Sequence, residues 1–163
     1  LYLRQLLEEI TTRYIKIAGE QYDLRMQYES PMQQGDWQSL LRRNRDRDIA
    51  SQRTTSGIHR DDISISLEDK MFRQTASQGQ RKSMLFAFRL AEFSLLKEKN
   101  GFAPILLLDD VFEKLDQQRM QNLLYEVCVL NDGQVLVTDT HPDRIGESFS
   151  ALGLPYQSIE TSR

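Results

Sequence analysis

The sequence predicts an α/β fold, and three observations lead there. Pro104 is followed by four aliphatic residues, Ile105-Leu106-Leu107-Leu108, and then by Asp109-Asp110. An aliphatic run bounded by a proline reads as a short strand buried on both faces of a parallel sheet. Met120, Leu123, Leu124 and Val127 then mark an amphipathic helix, and Val135-Leu136-Val137 a second short buried strand. Strand, helix, strand in that order is a parallel crossover unit. At the other end of the chain, Leu3, Leu6, Leu7, Ile10, Tyr14 and Ile17 recur mostly at spacings of three and four. That spacing gives a helix with one apolar face.

The remaining elements follow in order. The first helix runs from Leu1 to about Ala18, with Gly19 as its stop. Tyr22, Leu24, Met26 and Tyr28 alternate with polar residues, the period of a half-buried strand, and Ser30-Pro31 breaks it. Asp36 is placed to cap a second helix through Trp37, Leu40 and Leu41, which runs into Arg42, Arg43, Arg45 and Arg47 with Asp46 and Asp48 interleaved. Residues 52–57 are polar and loop-like. Ile63, Ile65 and Leu67 alternate again, and Glu68-Asp69 suits a turn into a hairpin strand at Met71-Phe72. The longest helix spans about Ser77 to Lys99; from Met84 to Ala91 it is apolar except for Arg89, which predicts burial of this middle section. Asn100-Gly101 ends it. Asn131-Asp132-Gly133 closes the helix after the central strand. Pro142 suits the first turn of a short final helix, and Pro155 precedes an expected last strand near Tyr156 to Ile159.

Composition narrows the class. At 163 residues, 39% hydrophobic and 28% charged, the chain has the make-up of a soluble globular protein of about one domain. No apolar run approaches the roughly 20 residues of a membrane span, and the start does not resemble a signal peptide. A single cysteine, Cys128, excludes an internal disulfide, suits a reducing compartment and reads as core filler. The net charge of −3 does not announce a nucleic-acid binder, so any such role falls to the local arginine cluster. Residue 1 is Leu and the chain opens directly in helical pattern, which suggests a piece of a longer protein.

The chemistry gathers at a few places. Asp109 and Asp110 stand at a strand's carboxyl end, where open α/β sheets bind ligands. Adjacent acids repel, and Mg²⁺ with phosphate oxygens would account for both, because hard cations take oxygen ligands; acids capping a loop are the plainer alternative. Ser77-Gln78-Gly79-Gln80 carries a capping-box pattern at the start of the long helix. The same helix start offers free N–H groups and a positive dipole end to a phosphate, and Gly79 permits close approach. His141, after the second buried strand, reads as functional; His59 reads either as functional or as a partner of Asp61 or Asp62. The arginines read as a solvated helix face partly paired with Asp46 and Asp48, although Arg43 and Arg47 repel at i,i+4.

The order of these motifs resembles the second half of an ABC-type ATPase head. Gly79 lies in the stretch similar to the signature motif, Asp109 matches the Walker B carboxylate, Asp116 the D-loop aspartate, and His141 lies near the place of the switch histidine. The segment Thr54-Thr55-Ser56-Gly57-Ile58-His59-Arg60-Asp61-Asp62, followed by Ser77–Gln80 and Leu107-Leu108-Asp109-Asp110, resembles more specifically the RecF family of DNA-repair ATPases, related to the SMC and Rad-type ATPases. The likeness covers roughly residues 54 to 145 closely and the first fifty loosely. Ile58 stands where the family usually has proline, and His141 sits a few residues beyond the strand end. Asp110 stands where transporter-type members have glutamate. None of the eight glycines is followed by lysine, so the Gly-Lys-Ser/Thr phosphate cradle is expected upstream of Leu1.

The resemblance implies the C-terminal part of such a head, residues 57–163, preceded by an arm or lobe segment with a basic helix, residues 1–56. It implies ATP and Mg²⁺ as cofactors and an ATP-dependent homodimer. Asp109 would hold the metal through water, and Asp110 would orient or deprotonate the attacking water. Ser77, Gln78, Gly79, Gln80 and Asp116 would meet the nucleotide, Ser77 and Gly79 touching the γ-phosphate in trans, with His141 sensing it. The full protein would be a slow ATPase in the cytoplasm, with no membrane partner. It would bind DNA at single-/double-strand junctions through Arg42, Arg43, Arg45 and Arg47. It would assist recombinase loading with mediators of the RecO/RecR type, in repair, replication, recombination and the SOS response. Two alternatives remain at this point: a non-catalytic DNA-binding module on the same scaffold, and a transporter-type ATPase subunit, which Asp110 and the arm-like first fifty residues disfavour.

Overall fold

The structure is a computed structural model that describes residues 2–109, 111, 113–129 and 133–160. In chain order its elements are α1 (Tyr2–Ala18), β1 (Leu24–Glu29), α2 (Trp37–Ser51), β2 (Asp62–Leu67), β3 (Lys70–Met71), α3 (Phe72–Thr75), α4 (Gln78–Asn100), β4 (Leu106–Leu108), α5 (Gln117–Leu124), β5 (Val135–Val137) and α6 (Pro142–Ala151). They form two compact units, one of Asp23–Thr75 and one of the residues flanking it on both sides. Contacts therefore divide the chain otherwise than at residue 56. Helix α1 packs on α4 and α5, while β2 pairs with β1, so each end of the first seventy-five residues goes with a different neighbour.

In the larger unit, Ile10, Tyr14 and Ile17 of α1 are fully buried, the stripe that their spacing predicts. Gly19, at φ +73°, ends this helix in the left-handed conformation that glycine adopts without strain. Ser77 and Gln80 make the full capping box of α4: Gln80 N donates to Ser77 Oγ at 3.2 Å, and Ser77 N to Gln80 Oε1 at 2.8 Å. Met84, Ala87, Leu90 and Ala91 of α4 are buried, but Leu85 is exposed beside Arg89. The helix thus buries one face rather than its whole middle section.

Strands β4 and β5 are parallel, with Leu106, Leu107 and Leu108 opposite Val135, Leu136 and Val137, which is the expected crossover unit. Burial on both faces is not observed. Leu106 and Leu108 are buried, whereas Leu107 is 69% exposed and Ile105 and Leu136 are also exposed. Side chains alternate across a strand, and only one face of this two-stranded sheet is covered. Helix α5 passes into a π-helical turn, Tyr125–Val129, that carries the buried Glu126 and the half-buried Cys128, whose thiol burial pushes up in pKa. The expected last strand does not form: residues 154–160 are irregular, and Tyr156 instead lays its ring 5.1 Å from that of Phe149 on α6.

The smaller unit is an antiparallel sheet in the order β1-β2-β3. Glu68 and Asp69 both take positive φ, +51° and +62°, as a two-residue hairpin turn requires, and Leu67 faces Lys70 across it. Phe72, expected in the hairpin strand, starts α3 and is buried there. Asp36 caps α2, accepting from Ser39 N at 3.0 Å. Only Leu40 of α2 is buried. Among the described residues, no helix is long and apolar enough to cross a membrane.

Tyr14 gives the larger unit an alkaline limit. Burial, with the Tyr22 phenol 6.0 Å away ring to ring, pushes its pKa up to about 12. The unfolded phenol ionises near 10, so its contribution is intact below pH 10 and is lost as pH rises from 10 towards 12. The loss is on the order of 2–3 kcal/mol at the top of that window. Denaturation midpoints between pH 9 and pH 12 should fall more steeply for the parent than for Tyr14→Phe.

Candidate functional site

The first cluster lies at the carboxyl edge of the parallel sheet. Asp109 follows β4, and Thr138-Asp139-Thr140-His141 follow β5. Because β4 and β5 are in parallel register, their ends emerge together, and the Thr138 hydroxyl donates to Asp109 Oδ1. Asp139 has a nearly buried side chain, 5% exposed. Its Oδ1 accepts from His141 N at 2.7 Å and lies 3.5 Å from His141 Nδ1, while Thr140 Oγ1 is 3.0 Å from that same nitrogen. The His141 side chain is itself well exposed, at the N-terminal end of α6. Asp110 lies outside the described residues.

The second cluster surrounds the start of α4. Gly79 sits against the loop that precedes α5: a Cβ on it would come within 3.2 Å of both the Lys114 carbonyl oxygen and Arg119 Nη1. Lys114 holds a positive φ of +65°, a strained state for a side-chain-bearing residue. A Cβ at this position would thus press on the backbone of that loop. Asp116 caps α5, Oδ1 accepting from Arg119 N at 2.8 Å and Oδ2 from Arg119 Nη1 at 2.9 Å. Gly79 thereby lies beside Arg119, the partner of Asp116.

A third cluster lies in the smaller unit, on α2 and the segment after it. Arg42, Arg43, Arg45 and Arg47 are all exposed, and none forms an ion pair among the described residues. Asp48 makes no direct ion pair with these arginines; its Oδ1 accepts from the Thr55 amide at 2.8 Å and hydroxyl at 2.5 Å, and Arg47 stands close enough to help lower its pKa. Those bonds hold the Asp48 carboxyl below the usual range. His59 bonds Thr54, its Nε2 lying 3.2 Å from the Thr54 carbonyl oxygen, rather than Asp61 or Asp62. Asp61 instead accepts from Ser30 Oγ at 2.6 Å and from the Tyr28 hydroxyl, and these bonds lower its pKa.

Arg119, Thr138 and Asp139 were not singled out by sequence reasoning. Arg119 had one available signal, its position three residues after a capping aspartate. Thr138 and Asp139 had only their place at the end of the strand beside β4.

The residues fit a magnesium–nucleotide pair as one part of a site. No group of three or more His, Cys, Asp or Glu side chains gathers as a metal cage among the described residues. Magnesium does not require one, since it commonly takes one or two carboxylates, with waters and substrate phosphates completing its octahedron. Asp109 offers such an exposed carboxylate, and the start of α4 offers free backbone N–H groups for a phosphate.

Helices flank a parallel sheet here, and the chain has the fold of the C-terminal part of an ABC-type ATPase head with part of a helical arm. By sequence and fold it is a relative of the RecF proteins and matches a C-terminal portion of them. It is 37% identical to the DNA replication and repair protein RecF of Flavobacterium johnsoniae over 143 residues, 88% of this chain and 40% of that protein. It is 32% identical to RecF of Parabacteroides distasonis over 164 residues, 98% of this chain and 45% of that one. Two solved structures of the recombination mediator protein RecF in the RecFOR pathway, RecF-ATPrS and RecF-ATP, superpose with TM-scores of 0.65 and 0.63 at 25% and 26% identity. Each match covers 87% of this chain and 40% of the solved one. The chain thus spans less than half the length of these relatives. No family model matches it.

Proposed function

We propose that this chain is part of an ATP-dependent DNA repair protein of RecF type that closes as a homodimer around nucleotide and holds DNA at single-/double-strand junctions. The observation that carries the reading is the edge of the parallel sheet, where Asp109, Thr138, Asp139 and His141 are brought together. Bound Mg²⁺-ATP supplies a polarised γ-phosphoryl group with its charge partly neutralised. Toward that group Asp109 presents one carboxylate oxygen while Thr138 holds the other. Asp110 orients or deprotonates the attacking water, and His141, positioned by Asp139, contacts the phosphate. Ser77, Gln78, Gly79 and Gln80 offer the start of α4 to a nucleotide held by a second protomer, with Asp116 between the two halves. The remaining, phosphate-cradling part of the head would cover the exposed face of Ile105, Leu107 and Leu136. In this reading the protein works in the cytoplasm, beside mediators of the RecO/RecR type, in recombinase loading and replication restart.

DNA contact is assigned to Arg42, Arg43, Arg45 and Arg47, exposed and without direct ion pairs among the described residues. Two unpaired guanidinium groups at i,i+4 repel unless an anion lies between them, and phosphate is that anion. Reversing Arg43 and Arg47 together to Glu should weaken binding to a gapped duplex. Each lost phosphate contact should also flatten the plot of log affinity against log salt by about one unit of slope. Unchanged affinity and slope would return the cluster to a solvated helix face.

A further inference from the structure

One residue engages both oxygens of Asp116. Its Oδ1 accepts from the Arg119 amide at 2.8 Å, the cap of α5, and its Oδ2 accepts from Arg119 Nη1 at 2.9 Å. The first bond alone would cap the helix. The second adds a guanidinium to a carboxylate already placed, and that carboxylate stays 54% exposed, open to a further partner. The Arg119 side chain is only 17% exposed, so its own orientation is set from inside the larger unit. The Tyr22 phenol, which donates to Glu20 Oε2 at 2.7 Å, also hydrogen-bonds Arg119. One turn along α5, Asn122 Nδ2 donates to the Ile17 carbonyl near the end of α1 at 3.2 Å. Helix α1 and the residues after it thus brace the turn of α5 from which Arg119 reaches back to Asp116.

The same guanidinium stands beside Gly79, where a Cβ would come within 3.2 Å of Arg119 Nη1 and of the Lys114 carbonyl oxygen. Lys114, two residues before Asp116, holds its φ of +65° against the preference of a side-chain-bearing residue. Such strain persists only where the surroundings fix the backbone, and it gathers at functional sites. Arg119 adds a cost of its own: its Nε is buried and has no hydrogen-bond partner among the described residues. An apolar side chain of similar length would fill the same space without leaving a donor unsatisfied. Stability of α5 therefore does not call for an arginine at 119. Orientation of the Asp116 carboxylate does, because a planar fork fixes an oxygen in direction as well as in distance.

We infer that Arg119 is a positioning residue: it fixes the exposed carboxylate of Asp116 beside Gly79, so that both meet the nucleotide of a second protomer in one prearranged geometry. This rests on the proposed function and deepens it, Arg119 acting through Asp116 rather than on the nucleotide.

The test uses the full-length protein containing this chain and Arg119→Met, which keeps the apolar stem and removes the fork. ATP-dependent dimerisation, read by light scattering, should weaken about tenfold or more, and phosphate release should fall with it. Binding of a fluorescent ATP analogue by the monomer, below the concentration at which the dimer forms, should match the parent. Arg119→Lys, which can still reach Asp116 at i,i+3, should recover part of the loss. The deciding comparison is made in an Asp116→Ser background, which keeps the cap of α5 and removes the second oxygen. With nothing left to position, Arg119→Met should add no further loss of dimer there. An equal further loss in that background would overturn the positioning role and leave the proposed function standing. So would an Arg119→Met variant that dimerises like the parent while Asp116→Ser does not. A parent that fails to dimerise on ATP would overturn both.

Discussion

Glu126→Leu is expected to destabilise the larger unit by about 3–5 kcal/mol, read as a lower midpoint of urea unfolding at unchanged slope. The Glu126 side chain is only 6% exposed on the π-helical turn after α5. Its Oε2 accepts from Arg13 Nη1 at 2.6 Å, and Lys16 Nζ lies 3.4 Å from Oε1. Arg13 is mostly buried as well, and its other nitrogens donate to Glu9 at 2.8 Å and Ser94 at 2.9 Å. Removing the carboxylate deprives a mostly buried guanidinium of one of its three partners, which costs far more than the pair's net worth. Changing both partners, Glu126→Leu with Arg13→Met, should therefore recover much of the loss. A Glu126→Leu variant within about 1 kcal/mol of the parent would place the pair in the class of surface bridges. The pair matters to the site because it ties α1 to the end of the helix that Asp116 starts.

The second large effect concerns Asp109. In a full-length protein containing this chain, Asp109→Asn should abolish ATP-dependent dimerisation and lower hydrolysis on the order of a hundredfold. Asparagine keeps the shape, and its carbonyl can still accept from the Thr138 hydroxyl. It loses the charge with which a hard cation is held. Fold and thermal stability should be close to the parent's, because Asp109 is exposed and its hydrogen bond survives.

Much of this was legible in the sequence, for reasons that differ element by element. The caps of α2 and α4 were readable because Asp36 and the Ser77/Gln80 pair act within one helical turn. The β4–β5 crossover was readable because an aliphatic run, a periodic helix and a second run admit few topologies. Ile105, Leu107 and Leu136 misled the reading because an aliphatic strand looks alike whether or not its second face is covered in this chain. Tyr156 lost its strand because, among the described residues, no edge pairs with it, and its ring packs on Phe149 instead. At the site, the motif residues were visible by type and order. Arg119, Asp139 and Thr138 were not, since their roles depend on who their spatial neighbours are. Asp48 illustrates the same point: local spacing offered it an arginine, and a tertiary contact gave it Thr55.

In the proposed function, Asp109 serves the metal and Asp110 the attacking water. Aspartate is one methylene shorter than the glutamate of fast ABC ATPases, which favours slow turnover and a long-lived clamp. The most direct measurement sets light scattering in Mg²⁺-ATP beside phosphate release for the full-length parent, Asp109→Asn and Asp110→Asn. Asp110→Asn should still dimerise on ATP while phosphate release falls steeply, and Asp109→Asn should lose both. Hydrolysis by Asp110→Asn at the parent rate would contradict the assignment.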